Sequence, residues 1–191
     1  FNMPFNMFYS RRIGSVTPSG DVIPIIGGAK VSGSLGGGYR IGFLDAVTAS
    51  VSEDGTMVVP AMNYGVLRTV REFGTYSYLG LSVVSRETWE QEDFPEEHNT
   101  AAALDGAFEI PGDHLVEIAG AQSWNTGLET DRAFRLSVNR IRSLVGYAAG
   151  GEYVSGDFNV NATGYTTATG YWEGWGNFWH NVRPEETFRE L

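Results

Sequence analysis

Apolar and polar positions alternate with a period of two along most of this chain, which is the spacing of strands rather than helices. The first such stretch, 24–35, places Ala29, Val31, Gly33 and Leu35 on one face and Lys30, Ser32 and Ser34 on the other. Gly36, Gly37 and Gly38 predict a tight turn. The chain then returns over 39–48, where Tyr39, Ile41, Phe43 and Asp45 alternate with Arg40, Gly42, Leu44 and Ala46. The same pattern predicts strand pairs over 63–72 and 76–85, over 100–110 and 114–123, and over 131–140 and 144–153. Short turns join the two members of each pair, at 73–75, 111–113 and 141–143. Between the pairs the chain reads as loops, at 49–62, 86–99, 124–129 and 154–163. A stretch rich in Gly, Thr and aromatic residues, 164–179, and a tail with Pro184 before Glu185 and Glu186 carry no strand assignment.

The connections alternate between short and long. A meander built this way has all its tight turns at one end, and strands of about 9–11 residues with dyad alternation are those of outer-membrane barrels. The expected fold is therefore all-β, an antiparallel up-and-down meander forming part of an outer-membrane-type β-barrel. It reads as a single barrel segment over 1–191 with a lead-in at 1–22. A soluble β-sandwich also uses short alternating strands, with one apolar face and one charged face. Here the less apolar face is mostly Ser, Gly, Tyr and Arg, and most charge lies in the loops.

Composition fits the strand reading. Gly makes up 25 of 191 residues and aromatics 13%, which favours strands and turns. Charged residues are only 19% and the net charge is −10. That balance argues against a nucleic-acid partner, which needs a basic patch. Cys is absent, which removes disulfides and thiolate metal sites. No apolar run approaches the roughly 20 residues of a membrane helix, so any crossing would be made by strands. The chain starts at Phe1 and ends at Arg189, Glu190 and Leu191, and is expected to be a piece of a longer protein.

Candidate chemistry is sparse. The acidic loop residues Glu90, Glu92, Asp93, Glu96 and Glu97, with His98, carry oxygen ligands without the spacing of a calcium loop, and read as an outer solvated loop. His98, His114 and His180 have no metal-ligand spacing. No Ser sits in a nucleophile elbow. Glu109 and Glu117 flank one hairpin and are the pair nearest to a hydrolytic arrangement. The double and triple glycines precede no helix, so they form no phosphate cradle. The sharpest compositional feature is the aromatic run Tyr171, Trp172, Trp175, Phe178 and Trp179. Its readings are an interfacial girdle, a sugar-stacking platform and plain core. Arg40, Arg68 and Arg135 are candidates for a lumen, because Arg is costly against lipid. No catalytic residue, metal ligand or cofactor is assigned.

The opening Phe8-Tyr9-Ser10-Arg11-Arg12-Ile13-Gly14, followed by Ile23-Pro24-Ile25-Ile26-Gly27-Gly28-Ala29-Lys30-Val31-Ser32-Gly33, resembles the bacterial DUF5916 domain. Val66-Leu67-Arg68, Ser77-Tyr78-Leu79-Gly80-Leu81, the stretch 99–105, Asp157-Phe158-Asn159 and Thr163-Gly164-Tyr165 follow in the same order. The resemblance implies a membrane-associated β-barrel domain, of which this chain resembles the N-terminal part. Such domains usually follow a module similar to carbohydrate-binding family 9. It brings no catalytic residues with it.

The expectation is then a non-enzymatic barrel segment in the bacterial outer membrane, in contact with lipid. Its role would be passage, anchoring or surface display, with a link to glycan through an upstream module. The alternatives are a soluble β-sandwich binding sugar through Trp172, Trp175 and Trp179, and a β-rich domain related to glycoside hydrolases.

Overall fold

The computed structural model describes residues 2–17, 19–91, 94–140 and 145–180. Its strands are β1 (Ile25–Gly36), β2 (Tyr39–Thr48), β3 (Val51–Glu53), β4 (Thr56–Val59), β5 (Met62–Glu72), β6 (Tyr78–Thr88), β7 (Glu97–Ile110), β8 (His114–Asn125), β9 (Asp131–Arg140), β10 (Val145–Val154) and β11 (Tyr171–His180). Among the described residues, nine of these form one sheet in the order β1-β2-β5-β6-β7-β8-β9-β10-β11. Every neighbouring pair is antiparallel. The fold is thus the all-β antiparallel meander that the alternation predicts. Two single turns of 3-10 helix, Pro4–Asn6 and Ser10–Arg12, precede it.

Tight connections fall at one end of the sheet. Gly36, Gly37 and Gly38 close β1 onto β2 with φ of 80°, 56° and 80°, angles that side chains disfavour. Pro111, Gly112 and Asp113 close β7 onto β8. The expected turn at 141–143 lies outside the described residues, as do Glu92, Asp93, Pro184, Glu185, Glu186 and 189–191.

The structure adds two elements to the expected set. The segment 49–62, read as a loop, contains the hairpin β3–β4. Its turn is Asp54-Gly55, both at positive φ, a combination that suits a two-residue hairpin. The aromatic stretch ends in β11, paired with β10 from Val154↔Tyr171 to Val145↔His180.

The sheet curls. One cavity is lined by Arg68 of β5, Tyr78 of β6, Asp105 of β7, Glu117 of β8, Arg135 of β9, Glu152 of β10 and Glu173 of β11. Seven flat strands would spread these residues over about 29 Å, so the face they share must be concave. The outer edges of β1 and β11 carry no strand among the described residues. The two run in the same direction, because the strands between them alternate.

The core sits inside this curl. Phe5 and Met7 of the lead-in, with Phe158 and Val160 of the β10–β11 connection, pack on Val66, Val84, Ala101, Ala103, Ala119, Ala121, Ala133 and Val154. The wall is mostly alanine at that level, which makes room for the larger side chains entering from within. Phe5 meets Phe158 edge-on at 6.0 Å. Fully burying a side chain such as Met7 or Val160 stabilises by roughly 1.5–3 kcal/mol. A second cluster, Ile23, Val59, Met62 and Tyr64, seats the β3–β4 hairpin against β5.

Candidate functional site

Strand alternation divides the sheet into two unlike faces. The convex face presents Phe43, Leu79, Leu81, Leu104, Ile118, Phe134 and Leu136, all exposed. Aromatic rings flank this row. Trp124, Tyr153 and Trp172 lie toward the long-loop end, and Tyr39, Tyr147 and Phe178 toward the tight-turn end. Charge on this face is confined to the strand ends. Asp45, Glu87 and Arg132 stand toward the loops, Arg71 and Arg140 toward the turns. His98, His114 and His180 are likewise at or beside strand ends.

The concave face carries the apolar core toward the long-loop end, and its polar groups gather from the middle of the strands toward the tight turns. Arg40, Arg68 and Arg135 all lie on it, each opposite a carboxylate. Arg40 pairs with Glu72 at 2.6 Å. Arg68 is buried, forks onto both oxygens of Asp105 with Nη2 to Oδ2 at 2.8 Å, and also donates to Ser82 Oγ at 2.8 Å. Such a bidentate pair is both directional and strong. Arg135 pairs with Glu152, which also accepts from the Tyr171 hydroxyl. Glu117 accepts from Ser137 Oγ at 3.1 Å and Asn139 Nδ2 at 3.0 Å. Glu109 sits diagonally from Glu117 on the same face, opposite Leu115.

Arg68, Asp105, Glu117, Arg135 and Glu152 border a cavity of about 570 Å³ between the wall and the lead-in residues Asn2, Met3 and Pro4. A second cavity, about 440 Å³, lies between Asn2 and Ser32, Ser34, Arg40, Arg68 and Tyr78.

The aromatic run does not stay together. Tyr171, Trp175 and Trp179 point inward with Glu173 and Asn177, while Trp172 and Phe178 point outward, and Trp172 is 80% exposed. Consecutive strand residues face opposite ways, so the five rings of the run divide three to two between the faces. In the acidic segment, Glu97 is the first residue of β7, opposite Thr88, and its carboxylate lies 3.5 Å from Arg86. Glu90 and Glu96 are exposed, before and after a short bridge between Gln91 and Phe94.

The lead-in fills part of the interior, which the alternation does not predict. Met3, Phe5, Met7 and Phe8, apolar residues in an otherwise unassigned segment, were the available signal. Residues 6–9 are clasped to the β10–β11 connection. Tyr9 N donates to Thr163 O at 2.7 Å, Tyr165 N to Asn6 O at 3.0 Å and Thr163 Oγ1 to Met7 O at 3.0 Å. Arg12 Nε reaches Gly164 O at 3.0 Å. Gly164 permits this approach, since a side chain there would overlap the Asn6 and Met7 carbonyls. Gly164→Val is expected to expel the lead-in. Limited trypsin digestion at Arg11 and Arg12 checks it, and several-fold faster cleavage than in the parent chain is the expected result.

No protein-family model, curated protein or solved structure matches the chain.

Proposed function

We propose that this chain is a non-enzymatic segment of a bacterial outer-membrane β-barrel. Its convex face meets lipid and its polar interior serves passage. Anchoring or surface display are the roles left to it if the interior stays plugged. The observation that carries this reading is the exposed apolar outer face of the sheet over a partly charged interior. A soluble domain keeps its large apolar side chains inside, whereas here a row of leucines and phenylalanines faces outward, and arginines and carboxylates line the interior beside its small apolar core.

Soluble monomers rarely expose apolar patches of this extent, so the outward face needs an apolar cover. Hydrocarbon has the right thickness. On β9 the outward charges Arg132 and Arg140 are about 27 Å apart along the strand, or about 21 Å of height at a barrel's tilt. That is close to the roughly 25 Å apolar band of such barrels. Rings above and below the band suit the headgroup levels. Among the described residues no helix is long and apolar enough to cross a membrane, which leaves crossing to strands. The resemblance of the opening residues to the DUF5916 domain points the same way, and with it a glycan link through an upstream module.

The soluble sugar-binding sandwich needs Trp172, Trp175 and Trp179 on one surface, and alternation puts Trp172 opposite the other two. Fractionation of cells expressing the chain tests the reading. Recovery with the outer membrane, release only by detergent, and cleavage within 86–99 on intact cells are expected. Recovery as a detergent-independent soluble protein would overturn it.

A further inference from the structure

We infer that the larger inner cavity binds a neutral sugar chain, with Trp175 as its stacking surface. The inference deepens the passage reading and rests on it for the ligand's route, whereas binding itself needs only the cavity.

The first support is the inward row of β11, Tyr171, Glu173, Trp175, Asn177 and Trp179, in which rings and hydrogen-bonding groups alternate. The three rings recur every fourth residue, about 13 Å apart along the strand. The two indoles have dedicated seats. A Cβ at Gly150 would stand 2.5 Å from Trp175 Cζ2 and 2.8 Å from its Cε2, and one at Gly146 would overlap Trp179. Glycine at both positions lets each indole lie close over β10. Trp175 is still 38% exposed and lines the cavity. An exposed ring held against a glycine offers a flat apolar surface at little entropic cost.

The second support is the mixture of polar groups. Arg68 and Arg135 line the same cavity as Asp105, Glu117, Glu152 and Glu173. The two guanidiniums are taken up by Asp105 and Glu152, so the surplus carboxylates Glu117 and Glu173 disfavour an anion. A polyhydroxyl chain tolerates both kinds of charge, because each hydroxyl can donate and accept. Glu117, already held by Ser137 and Asn139, is a positioned acceptor for such hydroxyls. The volume, about 570 Å³, lies within the range of small-molecule sites.

The test is calorimetric titration of the detergent-purified chain with maltohexaose, cellohexaose and xylohexaose, and separately with spermidine and citrate. Saturable binding of at least one hexasaccharide is expected. Trp175→Ala should weaken it by about tenfold or more. Trp172→Ala, on the outer face, should leave it unchanged. Should Trp175→Ala fail to fold, Trp175→Phe keeps a smaller ring and should give an intermediate loss. Binding of no hexasaccharide, binding of spermidine or citrate instead, or equal sensitivity to Trp172→Ala would overturn the inference. Binding by a chain that proves soluble would keep the site and sink the passage role. Membrane recovery without binding would do the reverse.

Discussion

Leu104→Arg is expected to destabilise the chain in lipid by about 2–4 kcal/mol, the cost of a guanidinium on the lipid side of a barrel near the midplane. Leu104 sits near the middle of β7, 60% exposed on the convex face, between Leu81 and Gly120 on the neighbouring strands. The experiment separates the two environments this face could have. If water covers it, a charge at an exposed strand position changes stability by no more than about 0.5 kcal/mol. If hydrocarbon covers it, the arginine must snorkel or drag water inward, and the folded fraction in vesicles falls. Urea titration of the chain refolded into lipid vesicles reads the difference. Equal stability of Leu104→Arg and the parent chain would remove the lipid-facing reading at this position.

Asp105→Ala is expected to cost about 3–5 kcal/mol, because it leaves the Arg68 guanidinium buried without its counter-charge. The side chains of Arg68 and Asp105 are only 10% and 8% exposed, so solvent cannot take the carboxylate's place without rearrangement. Ser82 would remain as a single neutral acceptor. Replacing both partners by apolar residues, as in Arg68→Met with Asp105→Leu, should recover most of the loss, since it is the orphaned charge and not the absent pair that destabilises. Urea unfolding in detergent, run as a double-mutant cycle, measures the coupling. A loss under about 1 kcal/mol for Asp105→Ala would mean that Arg68 swings into the cavity and is hydrated there.

Most of the sheet was legible from alternation. From Phe134 to Asn139 the chain changes character at every residue, and the pairing register follows the inside–outside pattern because a one-residue slip would turn every side chain over. Placing Arg68 and Arg135 inward needed this period together with the cost of Arg against lipid. What escaped had physical reasons. In β11 both faces carry rings, so hydropathy does not alternate although the backbone does. In 51–59 the strands are too short for periodicity to register, and the Asp54-Gly55 turn was the only local sign. The pairing of Glu117 with Ser137 and Asn139 joins two strands, and no single-strand pattern encodes it. The lead-in was the hardest case. Its apolar residues follow neither period, because the segment fills a space shaped by other elements rather than presenting a face of its own.

The clasp between that lead-in and the β10–β11 connection also bears on the order of assembly. The Thr163–Met7 bond joins residues 156 positions apart, whereas β1–β2, β5–β6 and β7–β8 close over short turns. Closing a long loop sacrifices chain entropy before any contact compensates it. Hairpin pairing shortens that loop step by step, so the sheet acts as the template and the lead-in as its latecomer. Residues 2–9 therefore stay accessible until the last strands are in place, and their protection from solvent exchange is a clock for completed folding.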